Sequence, residues 1–280
     1  MNEMETEALM VQEKLKKLQE YLKELGSVAV AFSGGVDSAF LLKTAHDILG
    51  NQAMAITARS CLFPEREFEE ARAFCEKEGI RQLICDWKEP EIEEFYNNPP
   101  DRCYLCKKDM FEHFRKLAQE QKMVYIAEGS NLDDTGDYRP GLAAVAELDI
   151  KSPLRYAGFY KSEIRELSKK MGLLTWNKPS YACLASRFVY GETITKEKLI
   201  MVEQAEQLLF EKGFYQVRVR IHDKMARIEV MPEEFGRLVE ETMRKEIVAK
   251  LKSYGFTYVS MDLSGYRTGS MNEVLIKAQE

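Results

Sequence analysis

The chain predicts an α/β fold, a doubly wound parallel sheet, followed by a smaller C-terminal α+β domain. Short, continuous apolar runs such as 27–32 and 53–58 alternate with longer amphipathic stretches. Runs of that kind are strands buried on both faces of a parallel sheet that helices cover. Beyond about residue 188 the alternation gives way to two long helical patterns set among three strand-like stretches.

The elements follow in order. Residues 6–25 read as an amphipathic helix with Leu9, Leu15, Leu18 and Leu22 on one stripe. Strand 27–32 leads into helix 39–49, stopped by Gly50, and strand 53–58 into helix 65–78, opened by Pro64 and ended by Gly79. Strand 81–86 runs into a Pro/Asn-rich loop at 87–101, then helix 104–121 and strand 123–128. A loop bearing Gly129, Asn131, Asp133 and Asp134 precedes a short helix at 141–148, a short strand at 150–153 and helix 161–171. The second part reads as helix 195–212, strands 214–221 and 225–230, helix 233–253 and strand 256–262. The boundary is placed near Phe188, giving domains 1–188 and 189–280, the second assigned to substrate binding or oligomerisation. No internal repeat or low-complexity tract interrupts the pattern.

Composition narrows the function. The chain has 280 residues and a net charge of −6, whereas nonspecific nucleic-acid binders are basic, so nucleic acid is disfavoured as a partner. No apolar run has transmembrane length, and Glu3, Glu5 and Glu13 near the N-terminus break any signal-peptide core. A cytoplasmic location is expected. Six cysteines in such a chain point to thiol, metal or redox chemistry rather than structural disulfides.

The most specific segment is Ser33-Gly-Gly-Val-Asp-Ser38, between the first β-strand and its helix. Free backbone N–H groups and the positive helix end form an anion site there. Gly34 and Gly35 permit the turn, and Ser33 and Ser38 add hydroxyl donors. Asp37 would repel phosphate unless Mg²⁺ stood between them, so the segment suits a Mg–nucleotide. Thr57, Arg59, Gly129 and Asn131 fall on the same carboxyl edge of the sheet, where ligands of such sheets bind, and complete the candidate cofactor set. The GxxxxGK[ST] phosphate loop is absent. The segment instead resembles the PP-loop of the ATP-pyrophosphatase superfamily, which implies the adenine nucleotide α-hydrolase-like version of the fold and adenylylation with release of pyrophosphate.

Cys103 and Cys106 form Cys-Tyr-Leu-Cys at a helix start, and Cys183 lies far downstream. The helix terminus and Lys107 and Lys108 should lower a thiol pKa there. A redox pair, a zinc site drawing on a ligand such as His113, idle thiols and an iron–sulfur cluster with three thiolates all remain open on these residues alone. Cys75, Cys85 and Cys61 read as structural.

Ser33–Ser38, Pro100-Asp-Arg-Cys-Tyr-Leu-Cys-Lys107 and Lys178-Pro-Ser-Tyr-Ala-Cys-Leu-Ala-Ser-Arg187, with Asp137-Tyr-Arg-Pro-Gly141 and Tyr190-Gly-Glu-Thr-Ile-Thr195, together resemble the LarE family of ATP-dependent sulfur transferases. The resemblance spans about 25–275. It implies adenylylation of the carboxylates of pyridinium-3,5-biscarboxylic acid mononucleotide and their conversion to thiocarboxylates for a nickel-pincer nucleotide, the cofactor of lactate racemase. One branch sacrifices the sulfur of a cysteine matching Cys183. Three cysteines at 103, 106 and 183 resemble the branch in which a [4Fe-4S] cluster carries sulfide, implying catalytic roles for them beside Asp37. The resemblance also assigns Arg218 and Arg220 to the substrate phosphate, against a solvated strand face as the plain alternative. Ser186 and Arg187 join them beside Cys183. Trp87, Trp176 and Tyr181 stand as candidates to stack on the pyridinium ring. A sulfide or persulfide donor and a homo-oligomer are the expected partners. A tRNA thiolase, an ammonia-using synthetase of the same superfamily and a nucleotide-sensing module are the competing functions.

Overall fold

The computed structural model describes residues 3–87, 93–136, 140–179, 182–267 and 269–272. In chain order the elements are α1 Glu3–Leu25, β1 Val28–Ala31, α2 Val36–Leu49, β2 Ala53–Arg59, α3 Glu65–Glu78, β3 Gln82–Asp86, α4 Glu93–Tyr96, α5 Arg102–Glu120, β4 Tyr125–Ala127, α6 Gly141–Glu147, α7 Pro153–Ala157, α8 Lys161–Lys170, α9 Lys196–Glu211, β5 Arg218–His222, β6 Met225–Glu229, α10 Phe235–Val239, α11 Glu241–Ser253 and β7 Tyr258–Met261. They divide into two compact units, Met1–Ser60 with Glu65–Pro90 and Cys103–Ser180, and Cys61–Pro64 with Glu91–Arg102 and Tyr181–Glu280.

The first unit is built on a parallel sheet of order β3-β2-β1-β4, with Val28 paired to both Ala53 and Tyr125. The chain builds outward from β1 to β3 and then returns to β1's other side. The switch point therefore lies between β1 and β4, where such sheets bind ligands. β1 and residues 53–57 of β2 are mostly small or β-branched and almost wholly buried, as a sheet covered on both faces requires. Phe40, Leu41, Leu42, Phe159, Ile164 and Leu167 pack with them in one core. On α1 the buried stripe is Val11, Leu18, Leu22 and Leu25, while Leu9 stays 51% exposed.

Two boundaries differ from the sequence pattern. α2 begins at Val36, not at 39, because extended Gly35 caps it and an acidic Asp37 suits the positive helix end. The strand expected at 150–153 reduces to a bridge between Lys151 and Ala127, because Pro153, which lacks an N–H, opens α7.

The second unit carries the sheet β5-β6-β7, in which β5 and β6 are antiparallel and β6 and β7 parallel. Phe188, expected at the boundary, lies inside this unit, bridged to Ile221. Strand β5 begins at Arg218 rather than at 214. The long helix expected at 233–253 breaks at Glu240, whose carboxylate accepts the N–H groups of Thr242 (3.1 Å) and Met243 (2.9 Å) and so starts a new helix. No helix among the described residues is long and apolar enough to cross a membrane.

Candidate active site

The loop after β1 is shaped by its glycines. Gly34 takes φ 71°, and a Cβ there would lie 3.2 Å from the Ala71 Cβ. Gly35 offers its carbonyl to the N–H of Ala39 (2.9 Å) and the hydroxyl of Ser38 (3.2 Å), and the hydroxyls of Ser33 and Ser38 are 3.2 Å apart. Because Gly35 has no side chain to cap α2, the first-turn N–H groups are left for an anion. Gly129, at the end of β4, completes the cradle: a Cβ on it would lie 3.0 Å from the Ser38 nitrogen. The segment after β4 and the first turn of α2 therefore meet backbone to backbone.

Asp37 stands in the first turn of α2. One carboxylate oxygen, Oδ2, pairs with the Lys161 ammonium. The other, Oδ1, is buried with no hydrogen-bond partner among the described residues. Burial raises the Asp37 pKa above the ordinary carboxylate value, with Lys161 pulling the other way. A buried, unsatisfied carboxylate oxygen is costly, and a hard divalent cation is the ligand that suits it. This donor set fits Mg²⁺ with a nucleotide.

The other candidate cofactor residues have specific places. Thr57 Oγ1 donates to the Phe32 carbonyl (3.0 Å) and accepts from Gln82 (2.8 Å), forming a floor under the loop. Asn131 Oδ1 accepts the Asp133 N–H (2.9 Å), and its own N–H reaches Asp134 (3.0 Å), so it shapes the turn after Gly129. Arg59 is half exposed, paired with Glu65 at 2.7 Å and lying 5.0 Å over the Phe68 ring.

The cysteines fall in both units. Cys103 and Cys106 lie one turn apart in the first part of α5 and so share a face. Cys103 is exposed and Cys106 partly buried. Lys108 directs its charge to Glu147, at 2.6 Å. Cys183 belongs to the second unit, partly buried and followed by Leu184, whose N–H donates to the Leu62 carbonyl (2.9 Å). Among the described residues, no three His, Cys, Asp or Glu side chains are gathered to hold a metal ion. All six cysteines are thiols outside disulfides, and burial pushes Cys75 up to about 12 and raises Cys85.

Arg187, Arg218 and Arg220 of the second unit are buried, not solvated. Arg187 is fully buried and donates from Nε and Nη2 to the two Glu206 oxygens, each at 2.8 Å. Its Nη1 reaches the carbonyls of Ala182 (2.7 Å) and Cys183 (3.1 Å) and the Ser186 hydroxyl (2.8 Å), so it holds the Cys183 turn. Burial opposes both charges, yet the pairing prevails: Arg187 is raised and Glu206 lowered. Arg220 grips Glu229 through two bonds of 3.0 Å and reaches the Ser186 carbonyl at 2.9 Å. Arg218 donates to the Val217 carbonyl (2.7 Å) and lies 5.3 Å from the Tyr266 ring centre. Burial, then Arg187, pushes Arg218 down to about 10. With Arg227, 3.3 Å from Glu229 and 3.7 Å from Asp262, four arginines gather around the buried Glu206 and Glu229, and positive charge remains in excess.

Residues 10–112 match the NAD synthase family model. The chain is 42% identical to an uncharacterized protein of Synechocystis sp. over 96% of this chain and all of that one. It is 38% identical to the pyridinium-3,5-bisthiocarboxylic acid mononucleotide synthase of Lactiplantibacillus plantarum, over 92% of this chain and 93% of that one. The chain belongs to the LarE family. A glutamine-hydrolyzing GMP synthase chain of Thermoplasma volcanium is 27% identical over 67% of this chain and 64% of that one, a likeness that does not span the whole LarE-like chain.

Several residues of this LarE-family site escaped sequence reasoning. Lys161 and Lys178 both bond the phosphate loop, Lys178 through the Gly34 carbonyl (3.1 Å) while paired with Glu67 (2.7 Å) and Glu70 (2.6 Å). A signal for Lys161 existed: it opens α8, where the helix dipole disfavours a cation. Trp87 is buried with its N–H on Asp109 at 2.6 Å, a core position rather than an open stacking face. Trp176 carries the Lys169 ammonium 4.7 Å over its ring, and His113 bonds the Asp109 carbonyl at 2.9 Å. Asp137, Tyr138, Arg139, Ser180 and Tyr181 lie outside the described residues.

Proposed function

We propose that this LarE-family chain uses ATP to activate the carboxylates of pyridinium-3,5-biscarboxylic acid mononucleotide and replaces the activated oxygens with sulfur. The near-full-length identity to a synthase named for the bisthiocarboxylic product carries this reading. A carboxylate is a poor electrophile, and transfer of AMP turns its oxygen into a leaving group. The N–H groups of α2 with Ser33 and Ser38 bind phosphate oxygens, and Asp37 holds the metal. Bound Mg²⁺ supplies neutralisation of charge on the departing pyrophosphate. The excess positive charge at Arg218 and Arg220 draws the substrate phosphate, with Arg220 kept in place by Glu229, Ser186 beside them and Arg187 holding the Cys183 turn. The enzyme works in the cytoplasm, as a homo-oligomer, with a sulfide or persulfide donor.

The test is direct. Protein supplied with ATP, Mg²⁺, sulfide and the dicarboxylate should release pyrophosphate and form a product heavier by the exchange of oxygen for sulfur. Product formation with ammonium in place of sulfide would favour the second reading, an ammonia-using synthetase, which the likeness to the GMP synthase chain supports.

A [4Fe-4S] cluster on Cys103, Cys106 and Cys183 is the finer part of the proposal. Two of these thiols share a face of α5 and suit thiolate ligation; the third belongs to the other unit. Such a group would supply an iron-borne sulfide. Anaerobically reconstituted protein should hold about four irons per chain, lose them on replacement of any of the three cysteines, and keep them in Cys75→Ala. Stoichiometric zinc without iron would overturn this part alone.

A further inference from the structure

Two lysines bond the phosphate loop of the first unit, and their charges are used differently. Lys178 is 10% exposed and already faces two carboxylates, Glu67 at 2.7 Å and Glu70 at 2.6 Å. Its charge is spent on them, and its bond to the Gly34 carbonyl fixes the loop. Lys161 is 32% exposed and faces one carboxylate, Asp37. Its main-chain N–H donates to Asp133 at 2.6 Å, so its backbone is anchored while its ammonium hangs on a flexible stem.

The place of Lys161 needs a reason beyond stability. It opens the ten-residue helix α8, where the dipole disfavours positive charge, and it satisfies only one oxygen of Asp37, leaving Oδ1 buried and unpaired. A partly exposed single pair of that kind adds little to stability. Its geometry is that of a counter-ion that yields. If a divalent cation takes the Asp37 carboxylate, two cations share one anion and repel. The new negative charge arriving with that metal is a polyphosphate at the N-terminus of α2, within a lysine's reach of Asp37 in the same first turn.

We propose that Lys161 is a place-holding cation: it neutralises Asp37 while no nucleotide is bound, then passes to the polyphosphate when the metal takes Asp37. This rests on the reading of Asp37 as metal ligand. No bond between heavy atoms is made or broken, only ionic contacts exchanged. Lys161 is then a substrate-contacting residue of the adenylylation step, with a second duty in the empty site.

Mn²⁺ binding followed by electron paramagnetic resonance, without nucleotide, reads the first duty. Lys161→Met should bind Mn²⁺ at least about tenfold more tightly than the parent, because the competing cation is gone. Calorimetry with Mg²⁺ present reads the second. The same variant should bind ATP at least about tenfold more weakly while binding AMP nearly as well, and Lys161→Arg should recover most of the ATP affinity. Unchanged or weaker Mn²⁺ binding, with ATP and AMP weakened alike, would make Lys161 a structural strut and overturn the proposal. Should Lys161→Met fold poorly, Lys161→Gln carries the test, since it too removes the charge and must show the same tighter Mn²⁺ binding and the same selective loss of ATP over AMP. Asp37→Asn separates the two readings. It should abolish Mn²⁺ binding in both backgrounds; if it does not, the metal role of Asp37 fails irrespective of Lys161.

Discussion

The two units each contain a carboxylate–cation pair beside a candidate site, and the pairs are built in opposite ways. Asp37–Lys161 is a single contact, 19% and 32% exposed, with one carboxylate oxygen left over. Arg187–Glu206 is a two-pronged contact at 0% and 4% exposure, and every guanidinium nitrogen of Arg187 has an acceptor. Burial and saturation decide the difference. A wetter, half-satisfied pair exchanges its partner at smaller cost. A dry, fully satisfied pair cannot open without stranding a charge. The first arrangement suits a residue that must receive a metal, the second one that must keep the Cys183 turn in place.

The largest effect should come from breaking the dry pair. Arg187→Met leaves Glu206 buried without its partner and should cost about 3–5 kcal/mol in urea unfolding. A loss below about 1 kcal/mol would mean the contrast is wrong. The pair should also show in the pH dependence. Glu206 is held below the ordinary carboxylate value, so it binds fewer protons folded than unfolded. Its contribution is complete above about pH 4.3 and is lost as pH falls through the depressed folded value. Unfolding measured from pH 5 down to pH 3 should therefore steepen in the parent and flatten in Glu206→Gln.

Next in size is the wet pair, read through chemistry. Asp37→Asn should lower pyrophosphate release about 100-fold or more while changing the unfolding free energy by less than about 1 kcal/mol. Stability lost in step with activity would erase the distinction between the pairs. Gly129→Ala tests the cradle at the phosphate loop. Its Cβ would lie 3.0 Å from the Ser38 nitrogen, so the loop must shift, at about 1–3 kcal/mol, and calorimetry should show weakened ATP binding.

Much of this was legible in the sequence, for local reasons. Apolar runs of six residues, 27–32 and 53–58, marked β1 and β2, and a Ser/Gly turn between strand and helix marked the phosphate loop. What stayed hidden depends on distant partners. Lys161 meets Asp37 across 124 residues and Lys178 meets Gly34 across 144, and no spacing rule reaches so far. Alternation put Arg218 and Arg220 on one face, but their burial depends on Glu206 in α9 and Glu229 in β6, so β5 alone left the solvated-face alternative open. Glu240 hid a helix break because an apolar pattern ran on through it; its carboxylate capped the next helix instead.

The smallest effect belongs to Arg59, the most exposed cation assigned to the nucleotide. Its contact with Glu65 joins side chains 51% and 53% exposed, so solvent and salt screen it and it is worth at most about 1 kcal/mol. The stacking over Phe68 at 5.0 Å adds about 0.5 kcal/mol at such an exposed place. Arg59 can thus leave Glu65 for a phosphate at little cost, but a solvated guanidinium gains little there too. Arg59→Ala should change stability by about 1 kcal/mol or less and raise the ATP dissociation constant by no more than about tenfold. The change in ATP affinity should shrink further in 0.5 M salt, where the Debye length falls to about 4 Å. Lys161→Met, acting on a less exposed site, should keep most of its effect on ATP in the same salt. If Arg59→Ala exceeds Lys161→Met at both salt concentrations, exposure does not rank these cations, and the contrast between the wet and dry pairs loses its physical basis.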